Sequence, residues 1–380
     1  MRPGAARGAP PGFRGHAWRR RALSRDQTAA PRLNLPHGNL MTTDLPALRR
    51  FAEEVLGMDV SEPEAMTGGG SERRFYRVRA GDRTWVAVAN SEPAEARAFL
   101  GFTRHFAHVG IPVPAIQGED SARGLYLMED LGARTLGELL RQWRGEPGGG
   151  ARAAEAVREV VRWLPAIQVR GGRGLDYGLC FKGQELGRAA FQADVDQFLA
   201  QYVPRFVLCP GPHPGVRRDL ARLVERLDAV PRPHFCYRDF QCRNIMWPRG
   251  GPVFIDYQDG RRGPLQYDLV SLLFSPDTGL EPAERDSLLT VYLDALAEQG
   301  ERPDREKFLG DFRAFVLVRR LQALGAYAYL AVTKGKREYL SKIHPAVVTL
   351  RELLINGHLS LGLPDLESWL FSALQAQRVH

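Results

Sequence analysis

The sequence predicts an α+β fold in two lobes, a small first lobe built on an antiparallel sheet and a larger second lobe that is mostly helical. Three observations predict it. Up to Thr135 the apolar pattern reads helix, hairpin, helix, strands. From Thr135 onward it is helical almost throughout, except around residues 234–268. A run of strands followed by a run of helices gives two lobes of different class. The boundaries fall at residues 41–130 for the first lobe and 131–380 for the second, with residues 1–40 as an extension.

The first helix starts at Leu45, where Leu48, Phe51, Ala52, Val55 and Leu56 follow helical spacing and Gly57 stands at the C-terminal cap. A glycine loop, Thr67-Gly68-Gly69-Gly70-Ser71, then heads a hairpin of two β-rich runs, Arg73 to Arg79 and Thr84 to Ala89, joined at Gly81-Asp82. Ser91 is placed to cap the next helix, with Pro93 in its first turn and Phe99, Phe102 and Phe106 on one face. Two or three strands follow. The strongest of them, Gly124 to Met128, runs into Glu129-Asp130-Leu131-Gly132, and Thr135 opens a helix through Leu140. Gly145 to Gly150 reads as a flexible loop between helices, and helical periodicity dominates from Leu220 to Leu227, Glu284 to Gln299 and Glu306 to Tyr329.

The net charge of +8 would suggest a nucleic-acid partner if it were spread over the body, but it sits at the front. Residues 1–40 hold eight arginines and one acid, Asp26, for +7, which leaves +1 for the rest. A body so nearly neutral gives no electrostatic case for wrapping a phosphate backbone. The front segment, rich in Gly, Pro, Ala and Arg, reads as disordered. A tail or an upstream start ahead of Met41, an organelle-targeting peptide, and a basic arm for nucleic acid all remain open for it. No stretch approaches the roughly 20 uninterrupted apolar residues that cross a bilayer, so no membrane role is expected. The four cysteines form no C-x-x-C pair, and they read as reduced thiols of a cytoplasmic protein. No protein partner can be inferred.

The densest polar cluster is Tyr237-Arg238-Asp239-Phe240-Gln241-Cys242-Arg243-Asn244, followed by Val253-Phe254-Ile255-Asp256-Tyr257-Gln258-Asp259. Phosphoryl transfer asks little of a protein: a carboxylate to orient and deprotonate the acceptor, and oxygen ligands for Mg²⁺ on the phosphates. Asp239 and Asn244 share one loop five positions apart, and Asp256 ends an apolar strand that could face them. Each alone could be a turn residue. Together they make one base and two metal ligands, and ATP and Mg²⁺ are the implied donor and cofactor.

On these residues the chain resembles the aminoglycoside phosphotransferase and choline kinase-like superfamily over roughly Leu45 to Leu363, and the resemblance implies a protein kinase-like fold. That family reads His-(Gly or Arg)-Asp, four residues and Asn, then Ile-Asp-(Phe or Tyr), and later Gly-x-x-x-x-Asp-Leu. The counterparts here are Tyr237-Arg238-Asp239, Asn244, Ile255-Asp256-Tyr257 and Gly263 to Leu269. By resemblance Asp239 is the catalytic base, Asn244 and Asp256 bind magnesium, and Arg238 and Asp268 give structural support, Asp268 by tying the catalytic loop to the helix after it. Glu129 and Leu131 would meet an adenine through their backbones.

Two departures matter. Tyr237 stands where the family has histidine, and Ala89 stands where a strand lysine would bind phosphate; no lysine occurs in residues 1–181. The phosphate-binding role then falls to the loop Gly68, Gly69, Gly70 and Ser71 and to Arg73 or Arg74 beside it, since loop N–H groups cradle phosphates and a guanidinium binds them bidentately. The glycine loop and the Ile255–Leu273 run are similar to the branch of bacterial amino-sugar kinases that phosphorylate the anomeric hydroxyl of N-acetylmuramate or N-acetylglucosamine. Only 11 positions separate Asp256 from Asp268, too few for a peptide-docking activation segment, so a small-molecule hydroxyl acceptor is favoured. Arg261 and Arg262 could read an acceptor carboxylate or phosphate, or be solvated; Gln322 could contact the acceptor from a helix whose leucines equally suit a core. A nucleotide-binding scaffold without transfer activity is the alternative, and Ala89 is the residue that favours it.

Overall fold

The computed structural model describes residues 44–66, 73–248, 250–357 and 359–375. The extension at residues 1–40 and the glycine loop Gly68, Gly69, Gly70 and Ser71 lie outside the described residues.

Helix α1 (Leu45–Leu56) begins where the Asp44 carboxylate accepts the Ala47 N–H at 3.0 Å, and ends at Gly57, whose left-handed φ of 68° turns its N–H onto the Glu53 carbonyl. After it comes a five-stranded antiparallel sheet in the order β1-β2-β3-β5-β4, made of β1 (Glu64–Ala65), β2 (Arg74–Ala80), β3 (Arg83–Ala89), β4 (Ile116–Asp120) and β5 (Leu125–Glu129). Helix α2 (Pro93–His108) lies between β3 and β4 in the chain. The expected Ser91 cap is displaced by one residue. Asn90 accepts the Glu92 N–H at 2.8 Å, and Glu92 stands at the helix boundary.

Strand alternation gives the sheet two apolar faces. Tyr76, Val78, Trp85, Ala87, Leu125 and Leu127 pack with Leu48, Phe51 and Ala52 of α1 in one buried cluster, and Ala89 lies against it. Val86, Val88 and Tyr126 point the other way, into the large core that holds Phe99, Phe102 and Phe106 of α2.

The rest is helical apart from four short strands. Helix α3 (Leu136–Arg144) opens on a capping box between Thr135 and Glu138. Helix α4 (Gly149–Pro165) follows after only four residues, so the Gly145–Gly150 stretch is a tight turn and the first turn of a helix rather than a flexible loop. Next come α5 (Arg188–Gln197), α6 (Val203–Phe206) and α7 (Pro214–Asp228). The strands β6 (His234–Cys236) and β9 (Arg261–Gly263) pair, as do β7 (Ile245–Met246) and β8 (Val253–Phe254) between them. The chain finishes with α8 (Leu265–Leu273), α9 (Pro282–Glu298), α10 (Arg305–Ala328), α11 (Leu340–Ile355) and α12 (Pro364–Gln375). With the turn that extends it to Thr333, α10 is long and apolar enough by length and composition to cross a membrane, but it packs on α5, α8 and α11 and most of it is buried there.

Gly124 joins this frame to the start of β5. Its φ is 66°, its carbonyl accepts the Asn90 N–H at 2.9 Å, and a Cβ added there would sit 2.3 Å from the Asn90 carbonyl oxygen. Gly124→Ala should cost at least about 1–2 kcal/mol from the left-handed backbone alone, seen as a lowered thermal midpoint. An unchanged midpoint would contradict this account of the strand entry.

Candidate active site

The β6–β9 pair, with the β7–β8 hairpin between its strands, sets two loops side by side, residues 237–244 after β6 and residues 255–260 after β8. Among the described residues only two non-glycines have left-handed backbone, Arg238 (φ 78°) and Asp256 (φ 70°), one in each loop. Such conformations cost free energy and persist only where neighbours impose them. Asp268, fully buried on α8, imposes the first. It accepts the Tyr237 N–H at 2.8 Å and the Arg238 N–H at 2.9 Å, and also takes the Gln168 amide at 3.1 Å and the Cys236 thiol at 3.5 Å. Burial pushes the Asp268 carboxyl up to about 6, with these donors pulling it down. Tyr237 imposes the second constraint. Its hydroxyl donates to the Ile255 carbonyl and so joins the loop after β6 to the residue before Asp256. Its ring lies edge-on to Phe235, Phe240 and Tyr257.

Asp239 follows Arg238 and is partly exposed. Its carbonyl accepts the Asn244 amide nitrogen and the Gln241 N–H, both at 2.9 Å, while its carboxylate has no hydrogen bond or ion pair among the described residues. The Asn244 amide is thereby fixed with its nitrogen spent and its oxygen left over. Asp256 binds Arg73 and the Gln258 amide (3.0 Å), both through Oδ1, which leaves Oδ2 for another cation. No group of three or more His, Cys, Asp or Glu able to hold a metal occurs among the described residues. One carboxylate and one carboxamide oxygen are, however, the hard donors that suit Mg²⁺ when phosphates complete its shell.

Arg73 is a buried cation at this site. Its side chain is 8% exposed; it binds Asp256, approaches Glu95 of α2 at 3.4 Å, and donates to Gln258 at 3.2 Å. Burial works against its charge, yet Asp256, Tyr126 and Glu95 together hold its pKa above the ordinary arginine value. In return, burial raises the Asp256 carboxyl, but Arg73 and Gln258 outweigh it and hold it below the usual range. Strand parity explains the choice of arginine. Arg74 pairs with Ala89 and shares a face with Tyr76 and Val78, toward α1. Arg73 lies on the alternate face with Phe75 and Val88, toward α2. Position 89 lies on the α1 face with Ala87, and the cation that reaches Asp256 is Arg73, the residue before β2.

The remaining expected residues divide. Glu129 ends β5 with its N–H on the Ala115 carbonyl, and Leu131 lies just beyond the ladder, partly exposed. Between them Asp130 is pinned by both edges of Arg77, at 2.6 and 3.1 Å. Arg261 is 7% exposed and spends its guanidinium on the Lys182 and Asp259 carbonyls, the geometry of a loop brace. Arg262 stacks over Tyr177, 4.1 Å from the ring centre. Gln322 accepts from Arg319 at 2.8 Å. Glu95 and Gln258 are the partners of Arg73 that sequence reading missed. The signal for Glu95 was an acid in the first turn of the helix after the hairpin; Gln258 gave none beyond lying two residues after Asp256.

A family model described as the phosphotransferase enzyme family matches residues 64–308. Among curated proteins the chain is 26% identical over 306 residues to an N-acetylmuramate/N-acetylglucosamine kinase of Pseudomonas aeruginosa, covering 78% of this chain and 86% of that one. It is 27% identical over 280 residues to a protein of the same name from Neisseria meningitidis, covering 71% and 79%. Among solved structures, a choline kinase from Streptococcus pneumoniae superposes with a TM-score of 0.53 at 15% identity, over 80% of this chain and 99% of that one. The shared fold is the two-lobed, protein kinase-like one.

Asp268→Asn keeps the shape but can offer only one oxygen to four donors, so its amide must face an N–H or a thiol. It should lower stability by about 2–4 kcal/mol in urea denaturation. A loss below about 0.5 kcal/mol, the size of an ordinary surface change, would contradict the anchoring role.

Proposed function

Because the chain belongs to the phosphotransferase enzyme family, we propose that it transfers the γ-phosphoryl group of ATP, with Mg²⁺, to a hydroxyl of an N-acetylated amino sugar, the anomeric hydroxyl first among them. The observation that carries this reading is the convergence of Asp239, Asn244 and Asp256 on two adjoining loops, with Arg73 closing on Asp256 from the sheet. Substrate class is supported by the two relatives described above, most of whose length the chain spans. Its four cysteines are free thiols, in keeping with the cytoplasmic setting read from the sequence.

In this reading the free Asp239 carboxylate accepts the proton of the acceptor hydroxyl as its oxygen attacks phosphorus, and holds that oxygen in line. Asn244 and Asp256 hold the metal, which when bound offsets phosphate charge. Arg73 keeps Asp256 ionised and adds a fixed positive charge where a strand lysine is absent. The scaffold alternative rested on Ala89, and that support falls away once the cation comes from Arg73.

Asp239→Ala should lower kcat by about 10²- to 10⁴-fold, the usual worth of a positioned base, with MgATP binding retained. The assay is ATP-dependent phosphorylation of N-acetylmuramate and N-acetylglucosamine, with phosphorus NMR to locate the new phosphate. Near-wild-type turnover in the variant would remove Asp239 from the mechanism. Asn244→Ala should instead weaken nucleotide binding only when Mg²⁺ is present, and an equal loss in chelator would rule out a metal role for it.

A further inference from the structure

Asp194, near the end of α5, is a mostly buried carboxylate that makes no hydrogen bond or ion pair with any described residue, and its Oδ2 is sealed from solvent. Buried carboxylates are rarely left so. Its nearest charges are two guanidiniums. Burial raises the Asp194 carboxyl while Arg319 and Arg238 pull it back, yet neither closes on it as an ion pair.

Both arginines are held in place by Tyr267. Arg319 of α10 is 8% exposed; it stacks 4.7 Å from the Tyr267 ring centre and gives Nη1 to the Tyr267 hydroxyl at 2.9 Å and to Gln322 at 2.8 Å. Arg238, the residue before Asp239, stacks on the same ring at 5.4 Å and donates to the same hydroxyl at 3.3 Å. The Arg319 Nε is buried without a partner. One unmatched acceptor and one unmatched donor thus lie on packed helices, α5 and α10, with α8 and its Tyr267 packed on α10 as well.

We propose that Asp194 and Arg319, backed by Gln322, Tyr267 and Arg238, form the slot that holds the phosphoryl acceptor against Asp239. Asp194 takes a hydroxyl or amide hydrogen of the acceptor on Oδ1, which is neither paired nor sealed, and Arg319 gives an N–H of Nη2, likewise unpaired and open, to an acceptor oxygen. The acceptor class follows from those needs: a polyhydroxyl compound that also presents a carbonyl or carboxylate oxygen. A simple amino alcohol offers no oxygen for Arg319 beyond the hydroxyl that reacts. The assignment rests on the transferase reading above and adds the residues that select the acceptor.

The test uses the full-length chain with Asp194→Asn and Arg319→Lys. KM and kcat are measured for N-acetylglucosamine, N-acetylmuramate and glucosamine, which lacks the acetyl carbonyl. Calorimetry with a non-hydrolysable ATP analogue and Mg²⁺ measures sugar binding directly. Each variant should raise KM and weaken binding for both N-acetyl sugars by about tenfold or more, the worth of one charge-assisted hydrogen bond, with the KM for MgATP unchanged. Asp194→Asn should not lower the thermal midpoint, because that carboxylate has no protein partner to lose. Glucosamine should be the poorest acceptor, and its gap from N-acetylglucosamine should shrink in Arg319→Lys. Transfer to the N-acetyl sugars with wild-type KM in both variants would overturn the slot and leave the transferase reading standing. Sugar binding that the variants weaken, without any transfer, would overturn the transferase reading and leave the slot. Binding of none of the sugars would overturn both.

Discussion

The ion pairs of Arg73 are the constraint on which the rest of the site depends. A guanidinium taken out of water is expensive, and it is tolerated here because a carboxylate from each of two separate elements, Asp256 after β8 and Glu95 on α2, meets it together with the Gln258 amide. The sheet, the helix behind it and the second-lobe loop can therefore share this charge only in one mutual arrangement. Removing any member leaves the others buried and unmatched, which is more damaging than never having buried them. The usual way to supply this charge is a lysine on the next strand. Here the pleat turns position 89 toward α1, and the cation comes from the first residue before β2 instead.

A second set of contacts fixes the catalytic loop to the same frame. Asp268 holds the strained backbone at Arg238, and Tyr237 reaches across to the Ile255 carbonyl. Tyr257, next to Asp256, bonds the Thr103 hydroxyl of α2 at 2.5 Å and stacks on Phe99, with ring centres 5.4 Å apart. Helix α2 is thus tied to the loop after β8 twice, by the hydrogen bond and stacking to Tyr257 and, through Arg73, by the ion pair of Glu95. Asp239 and Asp256 owe their placement to these neighbours, since each lies in a loop whose shape is imposed from outside it.

What was legible in the sequence is what lies close along the chain. Asp239 and Asn244 sit on one loop, and Asp256 and Asp268 bracket the next stretch, so spacing alone suggested their shared site. The helices with caps and regular apolar spacing, such as Leu45–Leu56, were equally plain, because their signals are local. The pairing of Arg73 with Glu95 and Asp256 was not, since it joins residues 183 positions apart and depends on which face of a strand each residue occupies. Pleat parity counted from Val78 and Val88, two apolar residues of the hairpin, does separate Arg73 from Arg74, but it does not say which face the second-lobe loop approaches. Asp194 had no such signal, and Arg319 only that of the polar and small residues around Gln322 on its helix. One sits in an unremarkable helix and the other in a run of leucines and alanines, and only packing of α5 on α10 gives them a common purpose. Arg261, read as either an acceptor contact or a solvated side chain, shows the converse: charge and proximity were visible, but its use on backbone carbonyls was not.

The most direct test of the Arg73 account compares Arg73→Met, which keeps bulk and removes charge, with Arg73→Lys, each shown to be folded by circular dichroism. Turnover and MgATP affinity are measured in both. A fixed charge that keeps Asp256 ionised and faces the phosphates should make Arg73→Met slower by about 10²- to 10³-fold, in the range of a lost electrostatic donor, with weaker MgATP binding and partial recovery in Arg73→Lys. A folded Arg73→Met protein with wild-type turnover and MgATP affinity would contradict it.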